Sequence, residues 1–135
     1  MYGPYGPSLS EAGMNQLIGV VDDDASLLRA LQRLLGAAGF RVRTFGSAED
    51  LLASDLLGRI QCLVLDVHLG GLSGFELQEK LTAALLMIPI VFITAHDDTA
   101  TRERARRAGA AEYLRKPFTE DALLGAIGKA LGRSA

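Results

Sequence analysis

Short aliphatic runs alternate with helically spaced apolar positions five times along this chain. "LIGVVD" closes on Asp22 and reads as a strand. Leu27, Leu28, Leu31, Leu34, Leu35 and Ala38 follow at three- and four-residue intervals and stop at Gly39, which predicts an amphipathic helix. "FRVRTF" alternates, with Arg41 and Arg43 on one face, and predicts a half-exposed edge strand. Ser47 with Asp50 three residues later resembles a capping box and predicts a second helix through Leu51, Leu52 and Leu56. "CLVLD" is a continuously apolar strand ending at Asp66, and the turn "LGGLSG" leads into a third helix from about Phe75 to Leu85. "IPIVFIT" is a fourth strand ending at Thr94. A helix from about Thr99 to Ala108 follows, then a short strand around "AEYLRK", then a last helix capped by Thr119 and carrying Leu123, Leu124, Ile127 and Leu131. The opening "MYGPYGPSLSEAGMNQ" has Gly and Pro in close succession and no apolar period, so residues 1–16 are expected to form a flexible tail and 17–132 one domain.

Alternation of strand and helix predicts an α/β fold, a five-stranded parallel sheet doubly wound by helices on both faces. The continuous apolar runs mark the first, third and fourth strands as interior, and only the second reads as an edge. In a parallel sheet the strand ends meet along one rim, the default site of such folds. That rim collects Asp22, Asp23 and Asp24 from the first strand, Asp66 from the third, Thr94 from the fourth and Lys116 from the fifth. Unpartnered carboxylates gathered at the end of an aliphatic strand repel and are costly to bury. A divalent cation resolves the problem. Hard oxygen ligands suit Mg2+, and an adjacent ammonium and hydroxyl are the usual means of holding phosphoryl oxygens during transfer. The plainer alternative is that Asp24 caps the following helix while Asp22 or Asp23 is solvated.

Composition narrows the class. With 135 residues, 49% apolar and 22% charged, the chain fits one globular domain large enough to hold a core without staples. The single cysteine, Cys62, excludes an internal disulfide and lies in an apolar run, as an inert packed thiol would; a reducing, cytoplasmic setting is expected. No stretch approaches the roughly 18 apolar residues of a membrane span, and the N-terminus lacks the pattern of a secretory signal. A net charge of −2 gives no general attraction to nucleic acid, so neither direct nucleic-acid binding nor membrane association is expected.

"VVDDDAS", "LVLDVHLGGLSGFEL", "VFITAHDD" and "AAEYLRKPF", in this order and at these separations, resemble the receiver domain of two-component response regulators, the CheY-like domains. The likeness runs from about Leu17 to Leu131. It implies the flavodoxin-like (βα)5 fold with strand order 2-1-3-4-5, and it implies roles residue by residue. Asp66 matches the phosphoacceptor, a carboxylate nucleophile that takes a phosphoryl group from a sensor histidine kinase or phosphotransfer protein. Asp22 and Asp23 match the acidic pair that holds Mg2+ beside Asp66, with Asp23 the direct ligand and Asp22 acting partly through water, and the backbone carbonyl of His68 matches the third protein ligand. Thr94 matches the switch hydroxyl, Lys116 the cation that pairs with the phosphoryl group, and Tyr113 the aromatic that turns inward when Thr94 moves. A cis peptide before Pro117 is implied as well, as is a signalling face built from the fourth helix, fifth strand and fifth helix, through which a homodimer could form.

One departure stands out. The family usually has Met-Pro where this chain has Leu69-Gly70; leucine keeps the apolar anchor, but glycine loosens the loop carrying the His68 carbonyl, so weak metal affinity is expected. His68 and His96 sit two residues past Asp66 and Thr94, placed either to modulate water access or to face solvent; metal ligation is a third alternative, without recognisable zinc spacing. "TATRERARRAGA" offers only alanines as an apolar face and carries Arg102, Arg104, Arg106 and Arg107, either a solvated face or a movable surface for an acidic partner or a second copy. Gly128 and Gly132 form a weak GxxxG pattern.

Two other functions fit these residues less well. Phosphatases of the haloacid-dehalogenase type resemble Asp-x-Asp on the first strand, whereas Asp66-Val67-His68 lies on the third. A pseudo-receiver that only docks proteins would not need the full set of Asp22, Asp23, Asp66, Thr94 and Lys116. The expected protein is a phosphorylation-controlled switch and not an enzyme acting on a separate metabolite; "VRTFGSAEDLL" resembles receivers joined to helix-turn-helix transcription factors.

Overall fold

A computed structural model describes residues 16–132. All but Gln16 of the expected tail at 1–16 therefore lies outside the described residues. In chain order the elements are β1 (Leu17–Val21), α1 (Ala25–Ala37), β2 (Arg41–Phe45), α2 (Ala48–Leu52), β3 (Cys62–Asp66), α3 (Gly74–Ala83), β4 (Ile90–Thr94), α4 (Thr99–Arg107), β5 (Glu112–Arg115) and α5 (Glu120–Gly132). The strands pair in parallel in the order β2-β1-β3-β4-β5.

Successive strand residues point to opposite faces, and both faces are covered, which is why the interior strands are aliphatic throughout. On one face Leu63, Leu65 and Phe92 pack with Leu51, Leu77, Leu81 and Ala105, brought by α2, α3 and α4. On the other, Val20, Val64 and Ile93 pack with Leu31, Leu35, Leu123 and Ile127 of α1 and α5. Cys62 belongs to this second core, and burial pushes its thiol up to about 12.

Several expected boundaries need correction. α2 stops at Leu52 instead of reaching Leu56, because the Ser54 hydroxyl accepts the Leu56 N–H and offers the backbone a turn in place of the helix. Ser47 accepts the Asp50 N–H, which is only the forward half of a capping box. The reciprocal box belongs instead to Ser73 and Glu76 at the start of α3. β5 is the second edge of the sheet, opposite β2; its Tyr113 and Leu114 side chains are half-buried on opposite faces, where the interior strands are buried at every position. α4 buries only Ala105, as its composition predicts, yet the Arg104 guanidinium lies 4.5 Å over the Phe75 ring and adds a cation–π contact to α3. An added Cβ at Gly128 or Gly132 would meet nothing within 4 Å, so the GxxxG pattern serves no close packing among the described residues.

α1, α3 and α4 end alike. In each, the two residues after the C-cap return their N–H groups to the last turn: Gly39 to Gly36 and Phe40 to Leu35, Leu85 to Thr82 and Leu86 to Leu81, Gly109 to Arg106 and Ala110 to Ala105. This closure requires a left-handed residue. Gly39 and Gly109 supply it with φ of 99° and 79°, whereas α3 uses Leu85 at φ 63°, which also explains why α3 stops before Leu85.

Candidate functional site at the C-terminal rim of the sheet

The polar residues that end β1, β3 and β4 share one local device. Asp22 Oδ1 accepts the Asp24 N–H at 2.9 Å, Asp66 Oδ1 the His68 N–H at 3.0 Å, and Thr94 Oγ1 the His96 N–H at 3.0 Å. Each side chain thus turns the chain away from the sheet by holding the amide two residues on. All three are buried.

The second carboxylate oxygens of the two acids are free to face inward. Lys116 Nζ lies 2.7 Å from Asp22 Oδ2 and 3.1 Å from Asp66 Oδ2. β5 is an edge, so the four-carbon stem of Lys116 is what lets its ammonium reach the end of β1. Backbone pairing fixes its base: Lys116 N–H donates to the Thr94 carbonyl at 2.7 Å, and the Lys116–Pro117 peptide is cis, as the resemblance implies.

Charge in this rim is unequally shared. Burial raises the Asp66 carboxyl above the usual carboxylate range and Asp22 adds to the rise, while the His68 N–H and Lys116 pull against it. Burial opposes the Lys116 ammonium too, but its bonds to Asp22 and Asp66 outweigh that, and its pKa is raised. One ammonium serves two buried carboxylates.

The three consecutive aspartates divide the work. Asp24 N-caps α1 through the N–H groups of Ser26 and Leu27 at 2.9 and 3.2 Å, so the plainer alternative holds for that residue. Asp22 is buried against Lys116. Asp23 is exposed and brings a third carboxylate: oxygens of Asp22, Asp23 and Asp66 lie within 4.8 Å of one another. Three hard oxygen donors in one small space, two of them buried with excess negative charge, fit a divalent cation of the Mg2+ type.

Thr94 and Tyr113 stand beside this centre. The Thr94 hydroxyl lies 3.3 Å from His68 Nδ1, and the His68 and His96 rings meet edge to face at 5.0 Å. Both rings reach the solvent-exposed mouth of the site. The Tyr113 hydroxyl donates to Asp97 Oδ1 at 3.1 Å. Asp97 is also paired with Arg102 of α4, whose guanidinium lies 5.7 Å from the Tyr113 ring centroid. Burial, then the bond to Asp97, pushes the Tyr113 phenol up to about 12. The sequence reading named Arg102 only among the arginines of α4 and missed Asp97 as its partner; five residues apart across the Asp98 cap of α4, the two match no local helical spacing.

Residues 18–128 match the family model described as Response regulator receiver domain. The chain belongs to the response regulator receiver family. Nodulation protein W of Bradyrhizobium diazoefficiens is 42% identical over 118 residues, which are 87% of this chain and 52% of that protein. The receiver therefore spans about half the length of the curated relatives it matches, among them the transcriptional regulatory protein TdiR of Thauera aromatica, with 37% identity over 90% of this chain and 54% of that one. Among solved structures, the response regulator StyR is 49% identical with a TM-score of 0.80, over 88% of this chain and 60% of that chain. The BeF3-activated DrrB receiver domain is 32% identical with a TM-score of 0.79, over 89% of this chain and all of that one. Receivers of this family take part in phosphorylation-controlled two-component signalling. Among the described residues no helix is long and apolar enough to cross a membrane.

Proposed function

We propose that this receiver accepts one phosphoryl group on Asp66 from a histidine kinase or phosphotransfer protein, with Mg2+ held by Asp22, Asp23, Asp66 and the His68 carbonyl. The observation that carries the reading is Lys116 bridging two buried carboxylates with a third in reach. An Asp66 oxygen attacks the phosphorus of a phosphohistidine, the P–N bond breaks, and the imidazole departs as its nitrogen takes up a proton. Mg2+, when bound, neutralises phosphoryl oxygens as they gather charge. Lys116 turns from Asp66 toward a phosphoryl oxygen, and the Thr94 hydroxyl donates to another. Thr94 then leaves His68 and Tyr113 leaves Asp97, so Arg102 loses its contact with the Tyr113 ring while Asp97 still holds its guanidinium.

The output surface is formed by α4, β5 and α5, available to a second copy of the chain or to an effector. A cytoplasmic location, no direct nucleic-acid contact by this domain and control of transcription as the output complete the proposal; the names of relatives such as TdiR support the last. Activity is confined to the receiver's own phosphorylation and dephosphorylation. The test is titration with Mg2+ and beryllofluoride, a phosphoryl mimic, followed by backbone and tyrosine NMR. Shifts should appear at Asp66, Thr94 and Lys116 and extend to Tyr113 and Arg102. Shifts confined to Asp66 and its neighbours would sink the switch, and none at Asp66 would sink the acceptor.

A further inference from the structure

The loop after Asp66 is held at both ends. Asp66 Oδ1 accepts the His68 N–H at one end, and at the other the Gly74 N–H donates to the Val67 carbonyl at 3.0 Å. Gly74 is required there, since a Cβ would lie 2.4 Å from the Asp66 carbonyl oxygen. Leu69 and Leu72 are half-buried against the core below. Between them stand Gly70 and Gly71, both exposed, the pair with the most backbone freedom to lose. Left alone, this span would let the His68 backbone wander.

Something outside the loop restrains it. Glu49, in the first turn of α2, reaches across 23 residues of sequence so that its Oε2 accepts the Leu72 N–H at 3.1 Å. The same carboxylate lies flat against Gly71, where φ is 87° and an added Cβ would sit 2.9 Å from Oε2 and 3.3 Å from Oε1. A glycine at 71 thus serves two ends: it takes the left-handed turn and leaves room for the carboxylate. Gly70 differs. Nothing lies within 4 Å of a Cβ built on it, so no contact explains why it is glycine.

We propose that Glu49 is a positioning residue for the metal site, holding the far end of the two-glycine span so that the His68 carbonyl stays in place. The proposal rests on the Mg2+ reading above. Glu49 touches neither metal nor phosphoryl group; it acts through Leu72 and Gly71. It supplies from α2 the restraint that a stiffer residue at position 70 would supply from within the loop.

The experiment is a Mg2+ titration of the metal-free protein followed at the Asp23, Asp66 and His68 amides by NMR, with parent, Glu49→Ala, Glu49→Gln and the double variant Glu49→Ala/Gly70→Ala. Spectra without metal report that each variant is folded. Glu49→Ala is expected to weaken Mg2+ binding about threefold or more, the size of one lost hydrogen bond, with faster exchange of the Leu72 amide. Glu49→Gln keeps an acceptor for Leu72 while losing the charge, and should bind nearly as the parent does. Adding Gly70→Ala to Glu49→Ala should restore part of the affinity by stiffening the span. Equal affinity in parent and Glu49→Ala would overturn the positioning role and leave the metal reading standing. Glu49→Gln as weak as Glu49→Ala would overturn it in favour of simple charge. A parent whose site amides ignore Mg2+ would overturn the metal reading, and the role of Glu49 with it.

Discussion

Asp22 and Asp66 are used in the same way: one oxygen of each holds the amide two residues on, and the other faces Lys116 Nζ, at 2.7 Å from Asp22 and 3.1 Å from Asp66. Neither acid can withdraw from the other without releasing its own loop. The rim is therefore held under charge by local turns that fold regardless of it, as expected of a site organised for binding at some cost in stability.

The first prediction follows from Asp66. Its carboxyl is raised by burial, so the folded state holds the proton more tightly than the unfolded state, and ionisation removes stability as pH rises through the raised value. Asp66→Asn keeps an oxygen for the His68 N–H and sheds the charge. Thermal melts without metal should show the variant more stable at neutral pH by about 1 kcal/mol. That advantage should shrink on acidification, as the parent's Asp66 takes up its proton. A variant less stable than the parent at neutral pH would contradict the strain assigned to this rim.

A second prediction concerns the end of α3. Leu85 occupies the left-handed closure that Gly39 and Gly109 fill in α1 and α4, and it is 84% exposed, so it gains little from packing. Leu85→Gly relieves a left-handed side chain that costs roughly 1–2 kcal/mol, offset in part by the greater freedom of glycine when unfolded. Chemical denaturation should show a net gain of about 0.5–1 kcal/mol with the m-value unchanged. A loss of stability would mean that Leu85 makes contacts that outweigh its backbone strain.

Much of this was legible in the chain because parallel sheets covered on both faces demand unbroken aliphatic strands, and their polar ends must fall on one rim. The positions of Asp22, Asp66, Thr94 and Lys116 follow from that alone. The contacts of Glu49 with Leu72 and of Asp97 with Tyr113 and Arg102 were not legible, since they join residues on different elements through loops whose path no periodicity records. Leu85 escaped for another reason: its apolar side chain continues the helical pattern of α3, while its backbone has already left the helix.

A third prediction concerns the lifetime of the phosphorylated form. The His96 ring is exposed beside His68, whose Nδ1 is 3.3 Å from the Thr94 hydroxyl, so both rings stand at the open side of the rim, and we expect them to shape the approach of water to a phosphorylated Asp66. An imidazole there either crowds the water or orients it, and both effects vanish in His96→Ala. Dephosphorylation followed after removal of the donor should change at least about threefold, under 1 kcal/mol in barrier, while uptake by Asp66 survives. Superimposable decay curves would reduce His96 to a bystander.

The central claim is that Asp66 is the phosphoacceptor of this receiver, and intact-mass spectrometry tests it most directly. With acetyl phosphate or phosphoramidate and Mg2+, the parent should gain the mass of one phosphoryl group, exchange it for a hydroxamate with release of phosphate on treatment with hydroxylamine as an acyl phosphate does, and gain nothing without the metal. Asp66→Asn should show no adduct under the same conditions. An adduct of equal yield on Asp66→Asn, or a parent that remains unmodified with every donor while still folded and binding Mg2+, would contradict the account.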